Sequence, residues 1–205
     1  VKKMEIWKNG SLVEDELANV KLDIKREYHN TGRPKSSVNI INGVKEGVYR
    51  EFDKEGNITI SKLYEKDKII AEGGTVDPQG RQQGMWKYYY PDGSMKAEGS
   101  FKDGLRDGLW VFYYTNKQIQ QQGAYLKSQP EGNWKWFYPN GKLLREENFK
   151  NGKEDGPSKE FDEFDNIIAE GNMTGGLREG PWKYKNGQYI AEGNYVEGNQ
   201  DGMWK

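Results

Sequence analysis

Few side chains in this sequence could form a reactive centre. The only histidine is His29, in a turn-like stretch, His-Asn-Thr-Gly at 29–32. Cysteine is absent, which removes disulfides, thiolate metal sites and thiol nucleophiles together. Carboxylates can do acid–base chemistry when two of them are held in different environments. Here the acids and amides form a row of equivalents instead: Glu72, Glu98, Gln122, Glu146, Glu170 and Glu192, mostly 24 residues apart. Such a row reads as a solvated face, or as acceptors for neighbouring indole N–H groups, with a site for a cation or for sugar hydroxyls as the other reading. His29 reads as a solvated or hydrogen-bonded turn residue. GTVDPQGRQQG at 74–84 is a turn rather than a phosphate loop, because no helical pattern follows it. No catalytic residue, metal-ligand set or cofactor motif emerges, and the chain is expected not to be an enzyme. What recurs is aromatic: Trp86, Trp110, Trp134 and Trp182, each followed two positions later by Tyr88, Phe112, Trp136 or Tyr184.

These aromatics belong to a tandem repeat. Blocks begin at Gly84 (GMWKYYYPDG), Gly108 (GLWVFYYTNK), Gly132 (GNWKWFYPNG), Gly156 (GPSKEFDEFD), Gly180 (GPWKYKNG) and Gly202 (GMWK). The first five starts are 24 residues apart and the last step is 22. An earlier block starts at Gly47, 37 residues before Gly84, and 25–47 carries a half-pattern. The organisation expected is a degenerate hairpin or cap over 1–22, then blocks at about 23–46, 47–83, 84–107, 108–131, 132–155, 156–179 and 180–201, with a partial start at 202–205. The stop on GMWK suggests an array that is truncated or capped by something else. The repeat-defining residues are Gly84, Trp86, Tyr89, Gly108, Trp110, Tyr113, Gly132, Trp134, Phe137, Gly180 and Trp182.

Within a block the order is strand, turn, strand, turn. MWKYYY is strand-like, PDG suits a type I turn closed by a glycine bulge, SMKAEGSF returns, and KDGLRDG leads to the next block. Helical spacing of apolar residues is absent. The fold class is therefore all-β: an elongated, twisted antiparallel β-meander solenoid of hairpins of about 24 residues. Each block adds two strands, about 10 Å, so seven give a sheet about 70 Å long. The 13 additional residues near 57–74 fit one further strand.

Counting back from the turn with an unbroken ladder pairs Tyr90 with Ser94, Tyr89 with Met95, Lys87 with Ala97 and Trp86 with Glu98. One face then carries Tyr89, Tyr113, Phe137 and Phe161, with Met95, Ile119, Leu143 and Ile167. Phe101, Tyr125, Phe149 and Met173 and the glycines Gly99, Gly123 and Gly171 share it. This is the face expected to be buried. The other carries the tryptophans, the Tyr88 rank and, across from them, the Glu row. The 22-residue step keeps this parity, since a change of two leaves every side chain on its face.

Composition sets further limits. Hydrophobic residues are 34% and mean hydropathy is −1.06, but 13% aromatics and a net charge of −1 separate the chain from most disordered segments. The 26 glycines against 7 prolines fit many turns between short aromatic strands. Balanced charge without a basic block argues against a nucleic-acid partner. No apolar run reaches the length of a transmembrane helix. The chain begins at Val1, so a preceding export signal or lipid anchor would leave no trace, and the compartment stays open between cytoplasm and envelope.

The blocks resemble MORN-type repeats, in the bacterial variant form. The resemblance rests on the G-x-W-x-x-(Y/F) start, the Asn/Asp-Gly turn and the E-G-x-(F/Y)-x-x-G return, closest in GMWKYYYPDGSMKAEGSFKDG and GPWKYKNGQYIAEGNYVEG. Block 156–179 departs, with Ser158 and Glu160 where aromatics are expected, and block 108–131 has Lys117 at the turn glycine. The resemblance implies an extended antiparallel sheet without catalytic activity, and protein–protein contacts or sometimes contacts with membrane lipid. A YwqK-like, antitoxin-labelled group shares it.

Two readings of the aromatic rows stay open. The tryptophans pack over a neighbouring block's glycines as core, or they line an exposed groove. The second rank, Tyr88, Phe112, Trp136 and Tyr184, varies in size as a surface fitted to a non-repeating partner would, and is read as the partner-binding set. The function expected is a non-enzymatic scaffold that binds a protein along one face. The alternative is a surface binder of cell-wall glycan or lipid headgroups, which the neutral net charge disfavours for lipid. An open sheet also leaves two edge strands able to pair with another chain. Light scattering over a wide concentration range is expected to show self-association; a monomer throughout would refute it.

Overall fold

Turn residues recur so closely that only short strands fit between them. The computed structural model describes residues 7–8, 11–12, 22–77 and 79–205, and among these there is no helix. The chain divides into two compact units, Val1–Val76 and Asp77–Lys205.

In the first unit a short pair, β1 (Trp7–Lys8) and β2 (Ser11–Leu12), is antiparallel. The rest of the hairpin expected over 1–22 lies outside the described residues. Then come β3 (Leu22–Tyr28), β4 (Pro34–Ile41), β5 (Val44–Phe52), β6 (Ile58–Glu65) and β7 (Lys68–Val76), each antiparallel to the next. The extra strand expected in 57–74 is present: β5, β6 and β7 follow one another where later blocks supply two strands. Tyr49 takes the tryptophan position, edge-on to Tyr64 at 6.2 Å between ring centres. Its hydroxyl donates to Glu51 (2.9 Å). Burial, and then that acceptor, push the hydroxyl pKa up to about 12.

The second unit is a meander of eleven strands: β8 (Gln82–Tyr89), β9 (Met95–Lys102), β10 (Leu105–Tyr113), β11 (Ile119–Leu126), β12 (Gln129–Phe137), β13 (Leu143–Lys150), β14 (Lys153–Phe161), β15 (Ile167–Thr174), β16 (Leu177–Asn186), β17 (Tyr189–Val196) and β18 (Asn199–Asp201). Every neighbour in sequence is its neighbour in the sheet. The hairpin turns have the expected form. Tyr90 N–H donates to the Ser94 carbonyl (2.8 Å), Gly93 N–H to the Tyr90 carbonyl (2.9 Å), and Gly93 holds φ +84°. Block 108–131 makes the same turn with Lys117 at φ +70°, a conformation unfavourable for a side chain.

The register differs from the unbroken ladder. Tyr89 pairs with Met95, but Tyr88 pairs with Ala97, Lys87 with Glu98 and Trp86 with Gly99. Lys96 is an extra residue, a β-bulge, and it shifts everything beyond it by one. The same irregularity recurs between Phe112 and Tyr113, Trp136 and Phe137, and Glu160 and Phe161. A shift of one exchanges faces, so the expected face assignment is corrected. Tryptophans, glycines and the Phe101 column share one face, and the Glu row lies on the other. Tyr113 goes with the acids, its hydroxyl donating to Glu98 (2.7 Å). Tyr89, Phe137 and Phe161, expected in the core, are only half-buried. The 22-residue block has no bulge and closes by a two-residue turn between Asn186 and Tyr189, which preserves the register of Trp182 on Gly193.

The core of this unit is the tryptophan column: Trp86, Trp110, Trp134 and Trp182 are 0, 1, 3 and 5% exposed. Each of the last three lies flat against a glycine of the preceding strand. A Cβ at Gly99 would sit 2.3 Å from Trp110 Cδ2, at Gly123 2.1 Å from Trp134 Cδ2, and at Gly171 2.3 Å from Trp182 Cδ2. The indole N–H groups of Trp110, Trp134 and Trp182 donate to the carbonyls of Ser100, Ala124 and Asn172, each at 3.0 Å. The block-start glycines have another task. Gly108 (φ +76°) and Gly132 (φ +70°) have open space where a Cβ would go, so it is the left-handed backbone, not room, that they supply. The bulge at Gly108 brings Trp110 onto Gly99.

A second ladder ties the turns together. Tyr90, Tyr114 and Tyr138 hydroxyls donate to the carbonyls of Tyr113, Phe137 and Phe161, at 2.7, 2.8 and 2.9 Å. His29 stands at the same turn position, with Nε2 2.9 Å from the Phe52 carbonyl. An acceptor there requires the proton on Nε2, so His29 is a hydrogen-bonded turn residue.

Two substitutions separate these effects. Gly123→Ala is expected to destabilise by about 1–3 kcal/mol through overpacking against Trp134. Lys117→Gly is expected to stabilise by about 1 kcal/mol by relieving a left-handed side chain. Urea unfolding reads both, and equal effects of the two would refute this division.

Candidate interaction face

On the tryptophan face, the bulge and the period of two place the second aromatic rank directly beside the buried column. Tyr88, Phe112, Trp136 and Tyr184 are half-buried. Their rings lie against the indoles: Tyr88 is 6.1 Å from Trp110, Phe112 5.9 Å from Trp110, Trp136 5.9 Å from Trp134 and Tyr184 5.8 Å from Trp182. The rank therefore does part of the covering of the column and still presents ring edges outward. The Trp column itself is core, packed over neighbouring glycines as one of the two readings held. Along the sequence the first rank is uniform and the second varies. Both share one face, as a spacing of two residues along a strand requires.

Arginines lie over this surface, which sequence reasoning missed. The Arg106 guanidinium is 4.7 Å from the Trp110 ring and 5.2 Å from Tyr125. Arg178 repeats the arrangement three blocks later, 5.1 Å from Trp182 and 5.4 Å from Tyr195. Arg145 lies 4.5 Å from Trp136. The signal available was the recurrence of arginine four residues before Trp110 and Trp182. At Tyr88, burial raises the hydroxyl pKa against the opposing hydrogen bond to Gln82 (2.9 Å). At Tyr184 burial and the Tyr195 hydroxyl, 3.3 Å away, do the same.

Block 156–179 interrupts the face. Ser158 replaces the tryptophan, Glu160 the second aromatic, Glu147 the glycine under the missing indole, and Glu154 the arginine. Glu147 is 4% exposed. Its Oε1 accepts from Ser158 Oγ (3.5 Å) and faces Arg145 Nη1 (3.3 Å). Its Oε2 is buried without a hydrogen-bond partner. Burial pushes the carboxyl pKa up to about 6; Arg145 opposes this, while Glu154 and Glu160 add to it.

The opposite face is one of paired charges. The Glu row, expected across from the tryptophans, is instead opposite lysines: Glu98 with Lys87, Glu170 with Lys159, Glu192 with Lys183. Ion pairs form at Lys62–Glu72 (3.7 Å), Lys135–Glu146 (3.4 Å) and Lys159–Glu170 (3.9 Å). Such partly exposed pairs are worth at most about 1 kcal/mol each. Near the end of the second unit this face forms an open groove lined by Lys159, Glu170, Lys183, Glu192 and Lys205. No cluster of three or more His, Cys, Asp or Glu side chains with metal-binding geometry occurs among the described residues.

The MORN repeat variant matches three times in tandem, at residues 82–103, 106–127 and 130–151. No curated protein matches the chain. MORN repeats are a non-enzymatic repeat type that generally serves as an interaction module for proteins or membranes.

The buried carboxyl gives a pH prediction. Glu147 has its folded pKa raised from an ordinary 4.5 to about 6, so its contribution to stability is full below about 4.5 and is lost as pH rises through 6. The groups facing it are Arg145 on its own strand, Glu154, Ser158 and Glu160 on β14, and Trp134 on β12. The loss amounts to no more than about 2 kcal/mol. Urea midpoints at pH 4.5 and 7.5 are expected to show this difference between the parent and Glu147→Gln; parallel pH profiles would refute it.

Proposed function

From a chain whose residues 82–151 are three tandem MORN repeat variants, we propose a non-enzymatic scaffold that binds a protein partner along its aromatic face. The observation that carries this is the second rank: Tyr88, Phe112, Trp136 and Tyr184 remain half-exposed beside a column that is otherwise buried, with Arg106, Arg145 and Arg178 over Phe112, Trp136 and Tyr184. Trp, Tyr and Arg are the residues that most often anchor protein interfaces. The opposite face favours a partner less, since its lysines and glutamates already neutralise one another. The antitoxin role implied by the resemblance is the narrower form of this reading, with a toxin as the partner.

The test is affinity capture from cell fractions with a variant carrying leucine at 88, 112, 136 and 184. Leucine keeps apolar cover over the tryptophans, and circular dichroism confirms the fold. The parent is expected to capture a discrete protein, and the variant to bind it at least about tenfold more weakly. A control with Lys87, Lys135 and Lys159 changed to alanine is expected to bind as the parent does. Retention on cell-wall material or lipid vesicles with no protein captured would replace this reading with the glycan or lipid alternative.

A further inference from the structure

The interruption in block 156–179 has a chemistry opposite to the rest of its face. An arginine of this chain lies over each of Trp110, Trp136 and Trp182. Here the position of Arg106 and Arg178 is occupied by Glu154, and that of Phe112 and Tyr184 by Glu160. Glu154 and Glu160 are half-exposed, on β14 opposite Phe149 and Arg145. Below them is Glu147, 4% exposed, with Oε2 unpaired. Three carboxylates thus meet one arginine, and that arginine already lies over Trp136 and touches only Oε1 of Glu147. A buried carboxylate oxygen without a donor is unfavourable. The lateral row through the site runs Trp136, Arg145, Glu160, Ala169, Tyr184, so an aromatic ring stands two strands away on either side, about 10 Å. A planar cation between acids and rings is the group this setting stabilises.

We propose that the interruption receives an arginine guanidinium from the protein partner, held by Glu154 and Glu160 at the rim, drawn by Glu147 beneath them, and flanked by Trp136 and Tyr184. The inference rests on the scaffold reading and names the chemistry that the partner brings to that face. The repeat is broken at one block because that block exchanges an internal indole for an external cation.

The probe is N-acetyl-arginine amide, titrated into the full chain and followed by NMR at the Glu154 and Glu160 carboxyl carbons and the Trp136 indole N–H. A saturable shift is expected. It is expected to weaken roughly five- to tenfold in Glu154→Gln/Glu160→Gln. It is expected to vanish in Glu147→Gly/Ser158→Trp, which rebuilds the indole-on-glycine pair and keeps the fold. The uncharged citrulline amide is expected to give no saturable shift. An equal response to citrulline amide, a response that does not saturate, or the same shifts from calcium chloride at matched ionic strength would each overturn the proposal. If a captured partner binds Glu154→Gln/Glu160→Gln as tightly as the parent but loses the leucine variant, the scaffold reading stands and this inference fails. If the arginine amide binds as expected and no protein is captured, the site stands and the scaffold reading fails.

Discussion

The contact on which the second unit depends is an indole laid flat on a glycine one strand away. A single-layer sheet has no second layer to bury a large side chain. The only cover within reach is the backbone of the next strand and the rings on either side. Removing the side chain from Gly99, Gly123 and Gly171 lets the ring sink to the backbone, and the neighbouring rings then seal its edges. The indole N–H, which would otherwise be buried without a partner, reaches a carbonyl ten residues earlier. Each such contact joins one repeat to the one before it, so stability is shared between neighbours rather than gathered in one core.

Glycine therefore appears in this chain for two unrelated reasons. The block-start glycines bend the strand through a left-handed residue and re-aim the tryptophan. The glycines five positions beyond each hairpin turn, at the middle of the return strand, make room for it. The turns have their own linkage through Tyr90, Tyr114 and Tyr138, and His29 substitutes in it with a ring nitrogen in place of a phenol. The repeat tolerates Lys117 in its turn, because the strain is local there. Where Trp is lost at 158, a carboxyl stands at 147 and takes the serine hydroxyl as a donor.

In the proposed scaffold, packing and recognition compete for the same surface. A ring that covers a tryptophan completely offers nothing to a partner, and one that stands free leaves the column wet. The second rank sits between these limits, and its variation from Tyr to Phe to Trp is confined to the position where exposure remains. The opposite face is settled differently, by alternating lysine and glutamate across adjacent strands.

The sequence by itself determined the all-β class, the tandem repeat, the hairpin turns with their left-handed glycine, and the extra strand before Asp77, because periodicity and turn chemistry are local properties. It also marked Trp86, Trp110, Trp134 and Trp182 as one equivalent set. Tertiary structure decided which side of the sheet they occupy. The bulge that sets this falls at Lys96, Gln120, Leu144 and Ile168, residues with no common chemistry, and one unpaired residue is enough to exchange the faces. For the same reason the glutamates could not be matched to lysines rather than indoles from spacing alone. Arginine recurs four residues before Trp110 and Trp182 in the sequence, whereas the unpaired oxygen of Glu147 was out of reach, since it depends on which strands become neighbours and not on any order along the chain.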